Sequence, residues 1–179
     1  MAADNLESAL NLGAKRKFTL YYLLSMNRRI SVRGIALHDG KLLCVKNKVY
    51  KNSQEPIIKF WCLPGGGLEE GEALLDGITR EMVEETGVKP RIGNLLYIQQ
   101  FVFNDKDYLE FFFHITNGSD YTSIDLANTT HGLKEIEEIG FIDPSKVPIL
   151  PKFLGTEPLE EHAAKNEPAK VISTELYGY

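Results

Sequence analysis

The stretch Gly66 to Val88, GGLEEGEALLDGITREMVEETGV, decides how this chain is read. It opens as a glycine-rich turn, GGLEEGE, becomes helical, and stops at Thr86-Gly87, where glycine takes a left-handed C-cap at no steric cost. Helical periodicity predicts an apolar stripe of Ala73, Leu74, Ile78, Met82 and Val83, with Arg80, Glu81, Glu84 and Glu85 crowding the last turn and a half on another face. Glu81, Glu84 and Glu85 stand at i, i+3 and i+4, so their carboxylates project together. Like charges at i, i+4 cost a helix about 0.2–0.5 kcal/mol per pair, and acids at a helix C-terminus oppose the macrodipole. Something positive is expected there. Three carboxylates suit a hard divalent cation, Mg²⁺ or Mn²⁺, which keeps open positions for substrate phosphates. Arg80 is placed to pair with the acids and hold them. A solvated acidic face is the plain alternative, and the glycine loop and embedded arginine weigh against it.

These residues resemble the Nudix box, G-x5-E-x7-R-E-U-x-E-E-x-G-U with U aliphatic. Gly66, Glu72, Arg80, Glu81, Met82, Glu84, Glu85, Gly87 and Val88 fill every defined position. The run Trp61 to Gly67, WCLPGGG, resembles the family's approach to the box. The resemblance implies metal ligation by Glu81, Glu84, Glu85 and the Gly65 carbonyl. It also makes Glu84, Glu85, Arg80 and Glu72 the residues of the catalytic site, with Glu72 better suited to tying the loop to the helix. Glu84 or Glu85 is the general base, and Glu110 and Glu135 are further candidates.

Composition agrees with a single soluble domain: 43% hydrophobic and 25% charged residues are ordinary for a chain of this length. The net charge of −5 argues against a nucleic-acid polymer as partner, which needs a basic surface. Seven of the 25 acids lie between Gly66 and Glu85 against one base, Arg80, so a polyanionic substrate would be repelled there without a cation. Cys44 and Cys62 have no metal-ligand spacing and read as free thiols of a reducing compartment. No apolar run is long enough to span a bilayer. Phe18 to Leu24 behind Lys15-Arg16-Lys17 faintly resembles a signal peptide, but no small-residue cleavage site follows, and the cytoplasm is expected.

Residues 1–27 read as an amphipathic helical lead that packs on the domain, covers a partner copy in a homodimer, or shapes the pocket. Residues 28–46 read as two strands about His38-Asp39-Gly40, with His38 a turn residue. Residues 49–59 are polar and irregular, 91–104 are β-rich, Asp105 to Asp107 form a turn, and Tyr108 to Ile115 form a strand. Alternation places Glu110 opposite Leu109 and Phe111, either reaching the metal acids or lying on a polar face. The same choice applies to His114, with the polar end of a strand preferred. Residues 117–130 read as an exposed loop and 144–154 as a short helix begun by Pro144. The tail from Gly155 reads as a helix followed by an edge strand, or as a mobile extension. By the family resemblance Phe141 stands where an aromatic packs near a nucleobase.

The resulting expectation is an α/β protein, a Nudix α/β/α sandwich with a central mixed β-sheet. A helical extension (1–27) precedes the hydrolase domain (28–155), and a C-terminal extension (156–179) follows. The resemblance implies Mg²⁺- or Mn²⁺-dependent hydrolysis of a phosphoanhydride in a small nucleotide, a nucleoside diphosphate linked to another group such as ADP-ribose or a nucleotide sugar. Hydrolysis of an oxidised nucleoside triphosphate is one alternative, and a non-catalytic ligand sensor on the same fold is the other.

Overall fold

The computed structural model describes residues 28–48, 60–103, 106–165 and 167–173. The helical lead over 1–27, the polar stretch 49–59, Asp105 of the expected turn and the last residues of the tail lie outside them. The expected hairpin is present: β1 (Arg28–His38) and β2 (Lys41–Asn47) pair antiparallel. Asp39 (φ 48°) and Gly40 (φ 70°) turn it, both left-handed as a tight two-residue loop requires.

The remaining strands are β3 (Trp61–Cys62), β4 (Ile92–Phe103), β5 (Lys106–Ile115), β6 (Ile136–Ile142), β7 (Ile149–Leu150) and β8 (Lys170–Ser173). Among the described residues they form one sheet in the order β7-β3-β2-β1-β5-β4-β8, with β6 also pairing β2. It is mixed: β1 and β5 run parallel from Arg28↔Asp107 to Ala36↔Ile115, whereas β4 and β5 run antiparallel.

Side chains alternate across this sheet, so each strand feeds two cores. On one face Val32, Leu43, Phe113 and Ile115 pack with Ile78 and Met82 of helix α1 (Leu74–Thr86). On the other, Ile35, Leu42, Tyr97 and Phe112 pack with Phe153, Leu154 and Leu159, the last from helix α3 (Leu159–Ala164). A short helix, α2 (Gly132–Glu135), leads into β6. The three-layer arrangement agrees with the expected α/β class.

Three local expectations are corrected. Ala73 and Val83 are exposed, and Gly77, Glu85 and Thr86 take the buried line of α1 instead. At 3.6 residues per turn Val83 lies about 140° around the helix from Ile78, too far to share its stripe. The segment 144–154 forms a turn, β7 and a 3₁₀ turn (Lys152–Gly155) rather than a helix. Pro148 and Pro151 carry no N–H for a helix ladder, while the Pro148 carbonyl accepts a hydrogen bond from Trp61 N–H at 3.1 Å and draws the segment beside β3. The loop 117–130 is not wholly exposed, because Tyr121 is buried in the α1-side core and Asn117 is buried by hydrogen bonds with Arg91 N–H and Lys89 O. The tail forms the expected helix and edge strand, with β8 parallel to β4.

Candidate active site

The segment Pro64 to Leu68 has glycines where a strand would have side chains, and it lies beside β1 like a strand. Gly34 N–H donates to Pro64 O (3.0 Å), Val32 N–H to Gly66 O (2.9 Å), and Leu68 N–H to Ile30 O (3.0 Å). The approach is close enough to exclude a side chain at Gly65, where φ is 125° and a Cβ would stand 2.2 Å from Val32 O. At Gly66 a Cβ would stand 2.6 Å from both carboxylate oxygens of Glu81. The Glu81 carboxylate therefore rests against the bare Gly66 Cα.

Helix α1 brings its acids to this loop from one face of the sheet, and Arg80 organises them. Its Nε and Nη2 donate to the two Glu72 oxygens at 2.8 Å each, and Nη2 also donates to Gly67 O at 3.1 Å. Its Nη1 donates to Glu81 Oε1 at 2.9 Å and Glu84 Oε2 at 3.1 Å. Glu72 also accepts from Glu69 N–H (2.9 Å), so it joins loop to helix as the sequence predicts. Hydrogen bonds from Arg80, then from that N–H, hold its pKa down to about 2.

Glu85 is 7% exposed and accepts from Gly65 N–H at 2.8 Å. Burial pushes its carboxyl up to about 7, against the pull of that N–H and of Arg33, with Glu81 and Glu135 adding to the rise. Glu135, exposed on α2, thus comes within electrostatic reach of the site.

From the opposite face Arg33 donates from Nη1 to Gly65 O (2.5 Å) and from Nε to Glu110 Oε1 (3.2 Å). Burial works against its charge, and Glu110, Cys62 and Glu85 together, with the Glu110 hydrogen bond, more than offset that, raising the pKa. Glu110 is buried at 6% exposure and lies on the polar side of its strand with Arg29, Ser31 and Arg33, pairing with Arg33. The Gly65 peptide is consequently gripped on both sides, N–H by Glu85 and carbonyl by Arg33.

Arg33 and His131 were not singled out by the sequence reading. His131 Nδ1 stands 3.1 Å from Glu84 Oε2, and its N–H donates to Glu84 O at 3.0 Å. For Arg33 there was a signal: Arg29, Ser31 and Arg33 alternate with apolar residues in β1, marking a polar line down one face. His38 is the turn-side end of β1, as expected, and its ring tilts against Phe141 at 5.5 Å. His114 is half-buried near the end of β5, and burial lowers its pKa.

A cavity of about 300 Å³ opens on the Arg33 face, lined by Arg29, Ser31, Arg33 and Glu110 and by Phe60, Phe101, Phe103, Tyr108 and Phe112. Phe141 does not line it. It packs against the α1-side core and His38, because its place on β6 opposite Leu43 turns it to that side. Cys62 lines the cavity and Cys44 is buried, and both are free thiols.

The fit of a divalent cation rests on donor chemistry. Among the described residues no three His, Cys, Asp or Glu side chains gather at ligand distance around one point, and Arg80 Nη1 bonds both Glu81 and Glu84. That nitrogen is itself a positive group held by two carboxylates. Beside it is Glu85, whose ionised form is penalised by burial. These hard oxygen donors suit a divalent cation.

Residues 27–163 match the NUDIX domain. The chain belongs to the Nudix family. It is 34% identical over 82 residues to an ADP-ribose pyrophosphatase of Methanocaldococcus jannaschii, covering 46% of each protein. The chain spans about half the length of the curated relatives it matches. Among solved structures it resembles the E. coli ORF135 protein (19% identity, 80% of this chain and 97% of that one, TM-score 0.59). It also resembles a UDP-X diphosphatase (21% identity, 94% and 84%, TM-score 0.58). At such identities the likeness is one of fold. The Nudix box thus spans the loop clamped to β1 and the whole of α1. Among the described residues no helix is long and apolar enough to cross a membrane.

Proposed function

We propose that this Nudix protein hydrolyses a phosphoanhydride bond in a nucleoside diphosphate linked to another group, of the ADP-ribose or nucleotide-sugar type, with bound Mg²⁺ or Mn²⁺. The observation that carries this reading is the set of box acids fixed by Arg80 against a glycine loop, with an aromatic cavity on the other side of that loop. The similarity to an ADP-ribose pyrophosphatase over 82 residues supports the substrate class.

Glu81, Glu84, Glu85 and the Gly65 carbonyl are the groups that would hold the metal. Once bound, it neutralises charge on the diphosphate and acidifies a water for attack at phosphorus. The chain's own residues supply position. Arg80 fixes Glu81 and Glu84, Glu72 fixes Arg80, and Arg33 and Glu85 hold the Gly65 peptide between them. Such pre-orientation is the main source of acceleration where no covalent nucleophile is used. Glu84 and Glu85 are the two acids proposed to accept the proton of the attacking water. Glu84 has Arg80 and His131 both at its Oε2, and Glu85 accepts from Gly65 N–H.

A diphosphate ester suits the cavity better than a triphosphate. Arg33 is neutralised by Glu110, so among the lining residues only Arg29 brings positive charge without a carboxylate partner among the described residues. Retention of every box acid weighs against a non-catalytic sensor. The test is product analysis by ³¹P NMR and mass spectrometry on ADP-ribose, UDP-glucose, a dinucleoside polyphosphate and 8-oxo-dGTP. Mg²⁺-dependent release of a nucleoside monophosphate from the first two is the expected result. Turnover of 8-oxo-dGTP alone, giving pyrophosphate, would replace this reading with the triphosphate one.

A further inference from the structure

The last carbonyls of a helix have no partner inside it, and at the end of α1 the chain that follows β5 supplies one. Gly87 N–H takes up Val83 O at 2.8 Å, and His131 N–H donates to Glu84 O at 3.0 Å. The ring of the same histidine returns to the same glutamate, with Nδ1 3.1 Å from Glu84 Oε2. A carboxylate oxygen only accepts, so Nδ1 is the ring nitrogen that carries the proton. The turn comes this close because Gly132 follows: a Cβ there would stand 2.5 Å from Glu85 O. The other end of α2 is mounted on the sheet, where Lys48, just past β2, donates its N–H to Glu135 O at 2.7 Å and its Nζ to Leu133 O.

Glu84 Oε2 therefore has two donors of different origin. Arg80 Nη1, at 3.1 Å, belongs to the same helix one turn back and moves with it. His131 belongs to the turn that opens α2 and is held independently of α1's own residues. The torsion about a glutamate's last bond is broad and roughly two-fold, so a single donor constrains the carboxylate weakly. Two donors on one oxygen fix its plane and select which oxygen is tied. Oε1 accepts no hydrogen bond among the described residues.

We propose that His131 is a positioning residue for the metal-binding acids: its ring fixes the Glu84 carboxylate, tying Oε2 to the protein and leaving Oε1 to a divalent cation. It acts through Glu84 rather than on the substrate. The two halves of the residue divide the task, since the backbone N–H caps the helix whatever side chain is present, and the ring alone orients the carboxylate. With its side chain 44% exposed, the ring can be removed without opening a cavity in the core. The inference rests on the hydrolase reading above, which supplies the cation.

Mn²⁺ binding to the intact chain, followed by EPR without substrate, reads this role apart from turnover. A residue that orients a metal ligand is worth about 10–100-fold in metal affinity. His131→Ala should therefore weaken Mn²⁺ by about 10-fold or more while its melting temperature in chelator stays close to that of wild type. His131→Asn, whose amide N–H can take the place of Nδ1, should restore most of the affinity. The deciding comparison is a cycle with Glu84→Gln. In that background His131→Ala should cause no further loss, because the group it positions is already gone, whereas an independent role gives the same fold-loss in both backgrounds. Hydrolysis of ADP-ribose by the alanine variant should need about 10-fold more Mg²⁺ for half-maximal rate, with little change in KM for the nucleotide. Unchanged Mn²⁺ affinity in His131→Ala, an asparagine variant no better than alanine, or equal losses in the two backgrounds overturns the inference. If that happens while wild type binds Mn²⁺ and cleaves ADP-ribose, the function stands without this residue. If the Mn²⁺ pattern holds but no diphosphate ester is cleaved, the positioning role stands and the proposed reaction falls. A wild-type chain that binds no Mn²⁺ removes both.

Discussion

Glu85→Gln tests whether the active site is built short of positive charge. In wild type the buried carboxyl is raised from its ordinary 4.5 to about 7. The folded protein then holds a proton that the unfolded chain releases between those values, so stability is greatest below about pH 4.5 and falls as pH rises through about 7. At roughly 1.4 kcal/mol per pH unit the loss from this one group is about 3 kcal/mol. Glutamine keeps the oxygen that accepts from Gly65 N–H and removes the titration. Any fixed cost of burying its amide is the same at every pH, so the informative quantity is the change in the melting-temperature gap between variant and wild type. In chelator, moving from about pH 4.5 to about pH 8 should shift that gap by about 6 °C or more in the variant's favour, for a chain of this size. Added Mg²⁺ at the higher pH should raise the wild-type melting temperature more than the variant's, while the variant's turnover falls by about 10²-fold or more. Differential scanning fluorimetry across pH, with and without metal, makes the measurement. A gap that stays constant or moves the other way would show that the Glu85 charge is already satisfied by the protein, and the case for a cation beside it would fail.

The two loop glycines should fail differently. Gly65→Ala meets the Val32 backbone at 2.2 Å and should melt at least about 2 kcal/mol less stable, whereas Gly66→Ala meets only the movable end of Glu81 and should fold while losing about 10-fold or more in kcat. Denaturant melts beside steady-state kinetics distinguish them, and equal losses of stability would contradict the geometry. Arg33→Met leaves Glu110 buried without its partner and should cost about 1–3 kcal/mol in urea denaturation, discounted for the partial exposure of Arg33. The double change Arg33→Met with Glu110→Met should recover part of that loss; additive losses would show that the pair is uncoupled. For Glu72, whose pKa is held down to about 2, the contribution to stability is present above about pH 4.5 and is lost as pH falls toward 2. Glu72→Gln should flatten that acid limb of a pH-dependent urea series, and an unchanged slope would dismiss the Arg80 pair as its source.

The parts legible in the sequence were those written locally. Gly40 and Gly87 announce a hairpin turn and a helix end, and Arg80 lies within about one turn of Glu81 and Glu84, so spacing predicts those pairs, while the Glu72 link comes from the family resemblance. Arg33 and Glu110 are 77 residues apart, joined only because β1 and β5 lie side by side, and no local pattern announces such a register. His131 reaches Glu84 through a fold-level packing of α2's approach on the end of α1. The errors share a cause: the apolar stripe through Val83 counted hydrophobic residues rather than angles, and Pro144 was read as a helix opener without weighing Pro148 and Pro151. Phe141 was placed near a nucleobase by resemblance, and the side it faces is decided only by the pairing of β6 with β2.

The three hydrogen bonds that bind residues 64–68 to β1 set the glycine loop on one flank of that strand and the rings at 101 and 108 on the other. The loop is anchored to a single strand and helix, while the rings hang from two strands on the far side. A change on β5 is nonetheless felt at the loop, because Arg33, which holds Gly65 O, takes its charge partner Glu110 from that strand.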